Sequence, residues 1–249
     1  MQLTQQLYDL SCEKARNTTV TCLCVGLSYT AVLTEDGGMG LAYTYMPHNT
    51  CCTTSRGYRD YEGESAVELL AEIRNPNPFR RAMGLALVNA LNYKEACDCP
   101  DDATDCAWMD ALKIGPGTRV AMVGFFRPLM GMFKSRGATV EALDEFQGIG
   151  GRDEFYEKLG SWADVLLLTS TSILNDSTED ILMRLAPGTK ALMLGPSTPM
   201  MAEAFRHLPV HALAGTVPVD KERVLKAVRH GVGTPVIHQF SRKVYRLLD

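Results

Sequence analysis

The chain has 249 residues, 46% hydrophobic and 22% charged, with 29 acidic against 25 basic side chains and a net charge of −4. That composition supports a buried core in one large or two modest domains, and its charge balance offers no basic footprint for nucleic acid. No basic-then-apolar leader opens the sequence and no run approaches about 18 apolar residues, so we expect a cytoplasmic protein without a membrane partner.

Leu3, Leu7, Leu10 and Ala15 recur at helical spacing, which predicts a helix over 1–15. Three strands follow, over 18–25, 29–33 and 39–45, the last two joined by Glu35-Asp36-Gly37-Gly38, a strong hairpin signal. Ser65 with Glu68 three positions on forms a capping-box pattern for a helix through Ile73. Asn77-Pro78 opens a second helix to about Asn92, apolar around most of its surface and so expected to be central. Residues 93–113 are acidic, contain Pro100 and carry no apolar period, which predicts a linker or surface loop.

From Lys113 the rhythm changes to five strand–helix units. The strands fall at 118–124, 139–143, 164–170, 190–194 and 211–217, with helices at 126–136, 153–159, 178–185, 199–207 and 221–230. Val165-Leu166-Leu167-Leu168 is apolar on both faces, as a buried parallel strand requires. The expected fold class is therefore α/β, a small α+β unit over 1–95, an acidic Cys-containing linker over 96–112, and a Rossmann-like parallel sheet over 113–249.

Ligands of open parallel sheets bind beyond the carboxyl ends of the strands. The first strand runs into Gly124-Phe125-Phe126-Arg127, where the phenylalanines stand in place of the Gly-x-Gly-x-x-Gly that a pyrophosphate needs, so NAD and FAD are disfavoured. The 169–178 segment offers six hydroxyls with Asn175 and Asp176. Capping explains part of it, Asp176 or Ser177 serving the next helix; Thr198 and Pro199 fit a cap and first residue in the same way.

Several of these stretches resemble one family. Val123-Gly124-Phe125-Phe126, Leu168-Thr169-Ser170-Thr171, Leu174-Asn175-Asp176-Ser177-Thr178, Leu194-Gly195-Pro196-Ser197-Thr198-Pro199 and Ala214-Gly215-Thr216-Val217 are similar to the "putative heavy-metal chelation" proteins. In the first half, Val25-Gly26-Leu27-Ser28-Tyr29-Thr30-Ala31, Gly38-Met39-Gly40-Leu41-Ala42 and Asn89-Ala90-Leu91-Asn92 resemble its companion domain. The resemblance implies an enolase N-terminal-like domain joined to a Rossmann-like domain, with a site in the cleft between them. It also implies a role in heavy-metal chelation linked to anaerobic cobalamin or metal-cofactor metabolism. The chain departs from the family's Thr-Gly and Asn-Gly-Thr, having Thr169-Ser170 and Asn175-Asp176-Ser177-Thr178.

The expected function is binding of a small molecule or metal chelate in that cleft. Thr30, Asn89 and Asn92 would come from the first domain, and Phe126, Arg127, Asp144, Thr171, Asn175, Thr178, Ser197 and Thr198 from the sheet's carboxyl edge. Arg127 would pair with an anionic ligand and Asp144 with a metal or an amine. An enzyme acting on a cofactor precursor, with Asp144 or Asp176 as general base, is the first alternative. Direct soft-metal binding is the second. Among eight cysteines, Cys97, Cys99 and Cys106, interleaved with acids, could gather a transition metal, although Cys-x-Cys-x₆-Cys is no standard zinc spacing. His48, Cys51 and Cys52 form a weaker cluster, while Cys22 and Cys24 share a strand face and read as core packing. His207, His211, His230 and His238 are scattered and suggest no site. A homodimer is plausible on general grounds alone.

Overall fold

A computed structural model describes residues 2–46 and 58–248; the His48, Cys51 and Cys52 cluster lies outside them. Helix α1 (Gln2–Arg16) precedes an antiparallel sheet of β1 (Val20–Val25), β2 (Tyr29–Thr34) and β3 (Met39–Tyr43), in that order. Then come α2 (Ala66–Leu70), continued by a 3₁₀ turn, and α3 (Pro78–Leu91). Ser65 caps α2 through Val67 N at 3.4 Å, while Glu68 pairs with Arg59 instead of closing the capping box. Asn77 caps α3 by accepting from Phe79 N at 2.9 Å.

Both faces of the small sheet are covered, which explains why β2 is buried along its length. α3 crosses β2 and β3 so closely that a Cβ on Gly40 would sit 2.1 Å from the Ala86 carbonyl oxygen, a position only glycine fits. The opposite face (Tyr29, Ala31, Met39, Leu41) packs on Val224, Ala227, Val228 and Ile237 from the other end of the chain.

The expected linker is a correction. Residues 93–113 form α4 (Tyr93–Cys97) and α5 (Cys106–Ala111). Asp102 is buried and accepts from Cys106 N (3.0 Å) and Trp108 N (3.2 Å), so this acid starts a helix instead of lying in solvent.

The large sheet holds β4 (Arg119–Val123), β5 (Thr139–Leu143), β6 (Val165–Thr169), β7 (Lys190–Leu194), β8 (Ala212–Pro218) and β9 (Ser241–Leu247), in the order β5-β4-β6-β7-β8-β9. Helices α6 (Arg127–Ser135), α7 (Arg152–Ser161), α8 (Thr178–Leu182), α9 (Lys221–Arg229) and α10 (Thr234–Ile237) connect or flank it. Alternate residues enter two cores: Val120, Met122, Val165 and Leu167 on one side, Ala121, Leu166 and Leu168 on the other. The α/β class stands, with two departures. β9 is an antiparallel edge strand beside β8, hidden in the sequence by Arg242, Lys243 and Arg246. The helix expected at 199–207 is a single 3₁₀ turn, Ala202–Phe205, because Met201 is extended and Met200 lies buried against Gly215. Among the described residues no helix is long and apolar enough to cross a membrane.

Candidate functional site

With β4 flanked by β5 and β6, the chain reverses its winding direction between β4 and β6, the place where open α/β sheets bind ligands. A cavity of about 840 Å³ opens there, roofed by aromatic residues of the small sheet. Gly124, at φ 84°, turns the chain off β4, and a Cβ there would lie 2.9 Å from Thr169 Cβ. Phe126 and Arg127 follow at the start of α6, where no side chain caps the first turn.

Six of the expected ligand residues line this cavity: Phe126, Arg127, Asp144, Thr171, Asn175 and Ser197. Arg127 stands exposed at its mouth. Asp144 is more occupied than a free metal ligand or general base would be. Its carboxylate accepts from Phe125 N (2.9 Å), Gln147 N (3.0 Å) and Gln147 Nε2 (2.8 Å), tying the ends of β4 and β5 together. Thr171 Oγ1 lies 3.0 Å from Thr169 Oγ1, and Asn175 Oδ1 accepts from Ser177 Oγ at 2.7 Å. Neither Asp176 nor Ser177 caps α8 by its side chain: Asp176 takes φ 66° and stands 3.8 Å from Arg81.

Arg81 holds this hydroxyl-rich turn in place. Only 2% exposed, its guanidinium donates to the carbonyls of Asn75 (3.0 Å), Ile173 (3.2 Å) and Leu174 (3.0 Å). A second clamp joins the two sheets. Ser197 Oγ accepts from Tyr43 N at 2.7 Å, and Asn89 Nδ2 donates to Leu41 O (2.8 Å) and Ser197 O (3.2 Å). The clamp sets Tyr43 and Tyr45 over the sheet edge. Tyr29 and Tyr43 meet edge to face, with centroids 6.2 Å apart. Burial pushes the Tyr29 phenol up to about 12, and burial followed by the nearby Asp144 carboxylate raises that of Tyr43.

Five expected residues lie outside the cavity wall. Thr30 is buried and bonds Thr44 at 3.0 Å; Thr178 bonds Ser172 at 2.7 Å; Asn89 serves the clamp. Asn92 and Thr198 border a separate void of about 10 Å³, room for about one water, and Asn92 Nδ2 and Thr198 Oγ1 have no partner among the described residues. The three thiols are not gathered either. Cys99 Sγ donates to Glu95 O and Cys106 Sγ to Thr104 O, and burial pushes the Cys99 thiol up, away from the thiolate a metal needs. Arg242 and Lys243 take up Asp101 and Asp105. Among the described residues no three His, Cys, Asp or Glu side chains are placed to hold a metal ion. The arrangement at 97–106 is a correction to the metal loop: its acids and carbonyls bind β9 and the start of α5.

Sequence reasoning missed Tyr29, Tyr43, Trp108, Thr216, His238 and Lys243, all in the cavity wall. The short run Ser241–Leu247 shows no alternation that would have marked β9, and with it Lys243.

Comparison with known proteins adds the following. A family described as "Putative heavy-metal chelation" (DUF364) matches residues 107–247, and a second with the same description (DUF4213) matches 8–92. An uncharacterized protein of Methanocaldococcus jannaschii is 21% identical over 258 residues, spanning 97% of this chain and 95% of its own. Two crystal structures of proteins of unknown function from the first family share the fold. One, from Pyrococcus horikoshii, has a TM-score of 0.81 at 20% identity, covering 99% of this chain and 100% of its own. The other, from Desulfitobacterium hafniense, has a TM-score of 0.77 at 17% identity, covering 98% and 99%.

Proposed function

Given that the chain belongs to the family described as "Putative heavy-metal chelation", we propose that its cavity binds an organic small molecule or a metal already held by an organic chelator, not a bare ion. The wall carries this reading. Its aromatic side chains (Tyr29, Tyr43, Tyr45, Phe126, Trp108) suit a flat organic body, and hydroxyls and Asn175 supply polar contacts at the sheet edge. Soft metals favour thiolate or thioether donors. Among the described residues the wall offers neither. The metal would therefore arrive as cargo of its chelator, with Arg127 at the mouth attracting negative charge on that ligand. A cytoplasmic location, a link to anaerobic cobalamin or metal-cofactor metabolism and a homodimer belong to the same proposal. The six described cysteines are free thiols, which supports the first of these.

Protein purified anaerobically without chelators and then denatured should release an organic compound in about one-to-one amount, with any transition metal accompanying it. Near-stoichiometric metal with no organic compound would overturn the reading.

A further inference from the structure

The cavity has an inner end built from β8, β9 and α5, and the reading above makes no use of its polar groups. Thr216 and Lys243 are direct neighbours across the antiparallel β8–β9 pair, so their side chains share a face. Thr216 Oγ1 lies 3.1 Å from His238 Nε2, and Lys243 Nζ donates to Asp105 Oδ2 at 2.5 Å. Asp105 adopts φ 59°, a left-handed conformation that costs energy for a residue other than glycine. It stands at the N-cap of α5 yet does not cap it. Asp102 does so, leaving the Asp105 carboxylate to face Lys243. Trp108, from the same helix, is fully buried behind this part of the wall and gives it an aromatic backing.

We propose that this inner end recognises an uncharged carbonyl group, a carboxamide or lactam, on a flat aromatic ligand, with Lys243 Nζ as the donor and the Thr216–His238 pair beside it. The assignment rests on the cavity being a ligand site. Lysine carries three N–H donors, of which Asp105 occupies one.

Charge decides which oxygen is accepted. Lys243 is already balanced by Asp105, and Asp102 adds a second negative charge met by backbone amides. His238 brings no compensating charge, because burial, and then Lys243, push its pKa down against the opposing pull of Asp105. A carboxylate would enter beside two carboxylates and one ammonium. A carbonyl accepts the same hydrogen bonds and adds no charge.

Equilibrium dialysis of the full chain against 2-naphthamide and 2-naphthoate at neutral pH tests this. The wild type should hold the amide at least about tenfold more tightly than the acid, because the acid adds a negative charge beside two carboxylates and one ammonium. K243M removes the donor and should lose about tenfold in amide affinity, while D105N removes one of the two carboxylates and should shrink the preference severalfold. Should K243M fail to fold, D105N, which keeps the donor and nearly the same side-chain shape, still reads the preference. A preference for the acid, or a preference unchanged in these variants, overturns the inner-end assignment. Equal binding of both compounds overturns it too and leaves the cavity reading intact. Binding of neither removes both.

Discussion

The 97–106 segment and the cavity contain similar chemistry arranged in opposite ways. The segment packs three thiols and four carboxylates into ten residues. In the fold those groups point apart: Asp102 caps α5, Asp101 and Asp105 pair with Arg242 and Lys243, and two thiols donate to nearby carbonyls. The cavity takes its residues from the carboxyl ends of β4 to β7, from β8 and β9, from several helix starts and from the small sheet, and turns them toward one space. Density along the chain is therefore a poor guide to a site when each group already has a structural partner. What marks a site is a wall whose polar atoms still have donors or acceptors to offer.

The contrast can be broken by mutation. If the acids of the segment are structural, Asp102→Ala should cost about 2 kcal/mol of stability, since it strips two amides of a buried helix start of their acceptor. The triple substitution of Cys97, Cys99 and Cys106 by Ser should cost only about 1 kcal/mol, arising at buried Cys99. Urea unfolding measures both, and the reverse ranking would contradict the structural account of the segment.

A smaller effect separates the inner end of the cavity from its mouth. His238 has a folded-state pKa below its ordinary 6.5, with burial the main cause. In the window between those two values the unfolded chain binds the proton and the folded chain does not. Stability attached to His238 is thus complete above pH 6.5, falls as the pH drops from 6.5 through the folded value, and levels off below it. Urea midpoints measured from pH 7.5 to pH 5 should show this decline in the wild type and a flatter profile in His238→Gln. Identical profiles would show that His238 is not buried as described.

Much of the fold could be read in advance because its determinants are local. The apolar runs at 120–123, 165–168 and 191–194 need burial on two faces, and Asp36-Gly37-Gly38 turns one strand back on another. The roof of the cavity could not be read this way. Tyr29 and Tyr43 look like ordinary sheet aromatics, and bonds made across more than a hundred residues, such as Ser197–Tyr43, Asn89–Ser197 and Tyr29–Thr234, bring them over the large sheet. β9 was obscured because its charges find their partners in the 97–106 segment. His238, Thr216 and Lys243 carry no common spacing and meet only through the β8–β9 pairing. At the mouth, by contrast, strand-end logic sufficed to pick out Phe126, Arg127 and Asn175.

Whether the cavity takes an organic body or a bare ion is tested most directly by anaerobic calorimetry on the wild-type protein and the Cys97/Cys99/Cys106 serine variant, comparing cobalt(II) with its one-to-one 1,10-phenanthroline complex. The account predicts that the flat aromatic complex saturates near one per chain in both proteins, while the bare ion binds only weakly. Stoichiometric binding of bare cobalt(II) that the serine substitutions abolish would contradict it and move the function to the cysteine segment.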